Sequence, residues 1–260
     1  MKFSTTPYHF DLLKDSSRLA VFYESIKECC ENNDVETAFD VGCGSGILTF
    51  FMQPYLKRII AIEKDEKAYK TAMSNLKEFS NIDVINNDAM SFEYPVKADL
   101  IVCEMMDTAL IDEEQIPAIK NARKYLNENG RIIPEGVVNI AQLVNMEREY
   151  FHYDDVEANI NYEPVSDEVI YSSFDFLDDF SSDFNAIIRF KINEDSLING
   201  LKITTITKLS DNIVCGPTPM LNPPILIPLD EMKVGKNETI GVELSYVMGE
   251  GIETIKTSYV

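Results

Sequence analysis

Glu36-Thr37-Ala38-Phe39-Asp40-Val41-Gly42-Cys43-Gly44-Ser45-Gly46 sets a short apolar run against three alternating glycines. The run reads as a buried strand, and the residues from Ile47 onward read as a helix. Glycines at alternate positions let the backbone turn sharply and let a ligand lie against it with no Cβ in the way. The spacing is GxGxG. A dinucleotide site wants GxGxxG, and Ile47 stands at the third position, which disfavours a pyrophosphate. The same motif also fits a tight strand-to-helix turn with no ligand.

Working outward, helix-like and strand-like stretches alternate up to Pro134. Leu19, Phe22, Tyr23, Ile26 and Cys30 recur at spacings of three and four, predicting a helix over 15–30 with those residues on one face. Tyr69, Met73, Leu76 and Phe79 predict a second helix over 64–79, between the apolar runs 58–63 and 82–85. Residues 98–104 (ADLIVCE) read as a fully buried strand, and 116–126 as a helix stopped by Asn129-Gly130. This alternation predicts an α/β fold, a doubly wound parallel sheet of Rossmann-like type.

After Pro134 the period changes to two. Ile188, Phe190 and Ile192 alternate with Arg189 and Lys191, and Ile240, Val242, Leu244 and Tyr246 alternate in the same way, with turn signals at 198–200, 234–236 and 249–251. The expectation is two domains, 1–134 and 135–260, the second a smaller antiparallel β-barrel or sandwich roofing a cleft. The acidic, aromatic stretch between Asp154 and Asp183 reads as loop or short helix.

Composition narrows the classes. A 260-residue chain with 45% hydrophobic and 26% charged residues can bury a core, which excludes wholesale disorder and collagen-like structure. A formal charge of −21 repels phosphates and draws cationic partners, although an acidic surface also serves solubility. Lys57-Arg58 and Arg123-Lys124 are the only adjacent basic pairs, so duplex nucleic acid is disfavoured. No apolar run approaches the ~18 residues of a membrane span. The start, MKFSTTPYHFDLLKD, has no apolar signal core, and five scattered cysteines indicate neither a disulfide framework nor a zinc site. Cys43 and Cys103 read as small buried hydrophobes. The expectation is a cytoplasmic chain without a membrane partner and without a metal.

Three features favour a ligand on the glycine turn formed by Asp40, Gly42, Gly44 and Gly46. Glu63 closes the next strand, where a carboxylate accepts both hydroxyls of a ribose. Asp88 and Ala89 close a further strand, offering a carboxylate and backbone amides to an adenine edge. All stand at carboxyl ends of successive strands, where open α/β sheets bind ligands. A nucleoside without phosphates fits best, and S-adenosylmethionine is the leading candidate cofactor.

With these residues in place, the sequence resembles the class I S-adenosylmethionine-dependent methyltransferases, and within them the protein arginine methyltransferases. The resemblance covers most of 9–134 and, more weakly, 185–260. It begins at His9-Phe10-Asp11-Leu12-Leu13-Lys14-Asp15-Ser16-Ser17-Arg18, similar to a family segment that folds over the cofactor. It implies that Arg18 pairs with the methionyl carboxylate and that His9 helps close the site. Glu104 and Glu113, nine residues apart, match the family's two-glutamate hairpin, which implies catalytic carboxylates gripping a planar, always protonated guanidinium from two edges. Asp112 to Glu114 before Ile116-Pro117 also suit a helix start.

Departures from the family bear on the acceptor. Met106 and Asp107 replace the hairpin's usual surroundings, and Met220-Leu221-Asn222-Pro223-Pro224 stands where a Thr-His-Trp loop is normal. The chain has no tryptophan and only two histidines, His9 and His152. The N-terminal helix is cut short, with Phe3 where a tyrosine is usual. The segment between Pro134 and Ala186 is shorter than the family's dimerisation arm, so the family's dimer is not assumed. A basic protein or peptide is one acceptor; RNA or a small molecule is the alternative, and a module that binds cofactor without turnover is the third reading.

Overall fold

Two helices meet at Asp15 in the computed structural model, which describes residues 3–147, 150–154 and 161–260. Pro7 fits the first turn of α1 (Pro7–Lys14), where a missing N–H goes unused, and Thr6 caps it by accepting the His9 amide. Asp15 then caps α2 (Ser16–Asn32), its Oδ1 accepting from Arg18 N at 3.0 Å. Phe22, Ile26 and Cys29 form the inner face of α2 with Arg18 and Ser25. Tyr23, expected on that face, is exposed instead. It lies at the rim, edge-on to Phe51 with ring centroids 5.3 Å apart, keeping its hydroxyl near water.

The first sheet is parallel throughout. It comprises β1 (Thr37–Val41), β2 (Arg58–Glu63), β3 (Ile82–Asn86), β4 (Ala98–Cys103) and β5 (Leu126–Ile133), in the order β3-β2-β1-β4-β5. Crossovers run through α3 (Ile47–Met52), α4 (Glu66–Leu76) and α5 (Gln115–Ala122). The central strands are apolar on both faces because helices cover both: Phe39, Ile60, Ile62, Leu100, Ile101 and Val102 are all fully buried. Each contributes about 1.5–3 kcal/mol by leaving water. The strand order reverses between β1 and β4, which creates the crevice where open sheets bind ligands.

Two sequence expectations change here. The helix beginning near Ile116 ends at Ala122, and Asn129-Gly130 stops no helix but lies inside β5. Leu126 pairs with Ala98 and Arg131 with Leu100, so the residues between bow out of the ladder. On α4, Met73 is exposed while Ala68, Ala72, Asn75 and Leu76 face inward, the two alanines letting the helix lie close to the sheet.

The second half is antiparallel. Its strands are β6 (Gly136–Met146), β7 (His152–Tyr153), β8 (Tyr162–Pro164), β9 (Val169–Asp175), β10 (Asp183–Lys191), β11 (Ser196–Lys208), β12 (Val214–Cys215), β13 (Ile225–Val234), β14 (Thr239–Val247) and β15 (Lys256–Tyr259). One sheet runs β7-β13-β11-β6-β8 with β9 and β12 at its margins; the other runs β10-β14-β15. The stretch after Asp154 is only partly loop: β8 and β9 lie in it, β9 held by pairing to β6, and 176–182 are turn and loop, while 155–160 lie outside the described residues. Pairing to a neighbouring strand satisfies its backbone, which local composition does not reveal. Among the described residues between Pro134 and Ala186 there is no helix, and no helix is long and apolar enough to cross a membrane. A single core cluster runs through both halves, from Phe22 and Phe39 to Leu201, Ile203, Val242 and Leu244.

Candidate active site

Strand register assembles the site. Val41 lies opposite Ile62 on one side and Cys103 on the other, so the next residues, Gly42, Glu63 and Glu104, leave the sheet side by side. Glu63 in turn pairs with Asn86, which puts Asp88 and Ala89 at the same edge. The glycine turn is shaped by close approach. Gly42 (φ 74°) and Gly44 (φ 55°) are left-handed, and a Cβ on either would fall 2.6 Å from Met105 Sδ or 2.7 Å from His9 Nε2. The amides of Gly42 and Cys43 both donate to Ile62 O, at 3.0 and 2.9 Å.

These residues open onto one cavity of about 200 Å³. His9, Arg18, Asp40, Gly42, Gly44, Glu63, Asp88, Ala89, Glu104 and Glu113 all line it. Gly46 is not among the lining residues. It opens α3 at φ 86°, with Leu76 where a Cβ would stand, so its contribution is to the turn and to packing on α4.

Each polar group has a specific setting. Glu63 accepts the Gly44 amide at 2.8 Å and the Asp65 amide at 2.7 Å, which aims its carboxylate along the turn. Asp40 faces back toward α3, accepting the Thr49 hydroxyl; full burial pushes its pKa up to about 7. Asp88 pairs with Lys64 at 2.8 Å, and that ammonium holds its carboxyl below the usual range. His9 lies over Gly44 with Nδ1 2.6 Å from the Thr6 hydroxyl, and burial lowers its pKa.

Arg18, in the first turn of α2, forms an ion pair with Glu104, both side chains under a tenth exposed. Glu113 sits across the hairpin with its pKa raised to about 7, first by burial and then by Asp107 and Asp112. Asp107 holds the hairpin shut: its Oδ1 accepts the Glu113 amide at 3.2 Å, and Tyr153 of β7 lies 3.1 Å from its Oδ2. Across the cavity the segment 218–224 is tied down from both sides. Met220 N donates to Asp15 at 3.0 Å, and Pro223 O accepts the Thr108 hydroxyl at 2.7 Å.

Several contributors escaped the sequence reading. Met90 and Met105 supply apolar walls, and Asn75 staples the N-terminal segment to the turn through Ser4 and Ser45. Gln115 is wholly buried at the start of α5. None carries a motif; each is recognisable only by what it touches.

Comparison with known proteins agrees with this geometry. Residues 38–130 match a family model described as a methyltransferase domain. An uncharacterized protein of Methanothermobacter thermautotrophicus is 39% identical over the full length of both chains. Human protein arginine N-methyltransferase 2 is 31% identical over 137 residues, 51% of this chain and 32% of that protein. The fold is similar to a chain of the Trypanosoma brucei protein arginine methyltransferase enzyme-prozyme heterotetrameric complex with AdoHcy, at TM-score 0.80 and 16% identity, covering 99% of this chain and 98% of that one.

The chain belongs to the class I S-adenosylmethionine-dependent methyltransferases.

As such a methyltransferase, it takes S-adenosylmethionine as cofactor, and the residues present suit it. Asp40, Glu63, Asp88, Glu104, Glu113 and Glu114 line the cavity against only Arg18, Lys64 and His9. That balance favours a cationic sulfonium and repels a diphosphate. The left-handed glycines let Met105 and His9 close on the turn, so a nucleoside there is met by those side chains as well as by backbone.

Proposed function

We propose that this methyltransferase acts on a guanidinium nitrogen of a basic protein or peptide. The observation that carries the reading is the opening of Glu104 and Glu113 onto the same cavity as the glycine turn. In this reading Glu63 holds the ribose hydroxyls, Asp88 and the backbone around Ala89 hold the base, and Arg18 holds the amino-acid carboxylate under the cover of His9. When bound, the cofactor supplies an activated methyl group on a positively charged sulfur. Glu104 and Glu113 then grip the guanidinium by forked, charge-assisted hydrogen bonds and aim one nitrogen. The rate gain comes from orientation and from charge placed before the reaction begins. The nitrogen loses a proton as it is methylated, and Glu113, with its raised pKa, is suited to receive it.

Transfer of tritiated methyl from S-adenosylmethionine to arginine-rich peptides tests the reading. We expect incorporation that disappears with Glu104→Gln; incorporation unaffected by that change would overturn the mechanism.

A small-molecule acceptor is favoured by one observation, the apolar cover that Met220 supplies where the family's loop is polar and aromatic. Robust turnover of a low-molecular-weight nitrogen compound, with none on peptides, would establish it.

A further inference from the structure

Cys103 is the last residue of β4, so Glu104 projects beyond the strand, yet its backbone is held as though the sheet continued. On one side β1 is still present, with Val41 opposite Cys103. On the other side β5 has run out: its last pair is Ile133 with Val102, and Pro134 follows, which has no N–H to offer. The side chain of Gln115, reaching in from α5, supplies bonds to the residues on either side of Glu104. Its Nε2 donates to Cys103 O at 2.8 Å and its Oε1 accepts Met105 N at 2.8 Å. In a parallel ladder, one residue donates to the carbonyl before its partner and accepts from the amide after it. Gln115 makes that pair of bonds about Glu104 using its carboxamide. Both bonds fix the amide orientation, because a flipped carboxamide would oppose donor to donor and acceptor to acceptor. The Cys103 thiol adds a third contact to Oε1 at 3.3 Å.

We propose that Gln115 is the positioning residue of the site, setting where Glu104 stands and, through its place two residues after Glu113, the separation of the two carboxylates. Glu114 holds the N-cap position of α5 and Gln115 is its first residue, so the clamp ties the backbone of one carboxylate to the short segment carrying the other. The side chain is wholly buried and spends all its polar atoms on the residues flanking Glu104. An ordinary strand residue there would also project its own side chain; a carboxamide reaching in from α5 supplies the ladder bonds without one. The inference rests on the reading that Glu104 and Glu113 grip the acceptor.

The test uses the full chain with Gln115→Met, close in volume and lacking both bonds. Three measurements are made: hydrogen exchange at the Met105 amide, S-adenosylhomocysteine binding by calorimetry, and single-turnover methyl transfer to an arginine-rich peptide. We expect Met105 protection to be lost, cofactor-product affinity to stay within about threefold, and the transfer rate to fall about 10- to 100-fold at little-changed peptide KM. Gln115→Glu serves as the conservative variant. Measured beside the parent to subtract the titration of Asp40, Asp107 and Glu113, it regains rate as pH falls and its carboxyl recovers the proton it must donate to Cys103 O. Should Gln115→Met fail to fold, Gln115→Glu at low and high pH carries the same measurements. Unchanged protection at Met105, or parental transfer despite lost protection, overturns the proposal. If the parent itself methylates no arginine peptide, the acceptor reading has failed, and the clamp is judged by NMR titration of carbon-13-labelled glutamates. Displaced Glu104 and Glu113 curves in Gln115→Met support it; coincident curves overturn it.

Discussion

Arg18 and Glu104, 86 residues apart in sequence, form an ion pair inside the candidate cavity, at 4% and 8% side-chain exposure. The guanidinium that family resemblance assigns to the cofactor's carboxylate is held here by the carboxylate assigned to the acceptor. Burying either charge alone is costly, so each neutralises the other. In the proposed reading, the cofactor's carboxylate would give Arg18 a second anion and loosen its hold on Glu104.

The first prediction follows from that pairing. Glu104→Gln keeps a hydrogen-bonding oxygen beside Arg18 but removes the competing charge. Calorimetry is expected to show S-adenosylmethionine bound as tightly as by the parent or tighter, while methyl transfer falls about 100-fold or more. Weaker cofactor binding in this variant would count against the competition between the two carboxylates.

Glu63 offers a separate handle on the cofactor. In the proposed reading, Glu63→Ala removes the acceptor for the ribose hydroxyls, and it leaves the Gly44 and Asp65 amides without their partner. Losing hydrogen bonds to a charged group costs about 1.5–3 kcal/mol each, so cofactor affinity should drop by an order of magnitude or more. Equilibrium dialysis with labelled S-adenosylmethionine reads this directly.

Glycine substitutions distinguish the turn from its surroundings. Gly44→Ala forces a Cβ into the left-handed region and to 2.7 Å from His9 Nε2, whereas the nearest atom to a Cβ on Gly216 is Ile206 Cδ1 at 3.9 Å. We expect Gly44→Ala to lose about 1–2 kcal/mol from backbone strain alone, together with cofactor binding, and Gly216→Ala to be nearly neutral. Denaturant melts and calorimetry on both variants provide the comparison.

Three carboxyls, Asp40 and Asp107 buried and Glu113 partly so, give stability a defined pH dependence. Asp40, Asp107 and Glu113 have folded pKa values raised to about 7, 6 and 7, all above their unfolded values. The native chain therefore holds protons that the unfolded chain has released. Their contribution is fully present below about pH 4 and is lost as pH rises through 6 to 7, while His9, with its lowered pKa, works in the opposite sense. Self-repulsion at −21 adds to the decline. The expected result is a higher Tm at pH 5 than at pH 8, with a smaller difference in Asp40→Asn; a Tm that climbs across that interval would contradict the assignment.

Much of the site is legible along the chain because its residues stand at the ends of apolar runs. Glycines 42 and 44, Glu63, Asp88 and Glu104 each follow a strand whose hydrophobicity is unmistakable, and in a doubly wound sheet those ends converge. The limits are equally specific. Tyr23 and Met73 fall on helical spacing yet face water, because the actual stripe turns on which side chains meet the sheet. Asn129-Gly130 carries the composition of a helix stop and lies within a strand, since pairing with β4 outweighs local preference. Gly46 shares the motif of Gly42 and Gly44 but faces Leu76.

Local pattern was enough to place a glycine bend and a row of carboxylates at one edge of a parallel sheet, because period and strand ends are properties of neighbouring residues. Folding alone brought Arg18 onto Glu104, Tyr153 onto Asp107 and the Gln115 carboxamide onto the residues flanking Glu104. Those contacts join distant segments, and side-chain amides and acids mark no position until the backbone has brought their partners within reach.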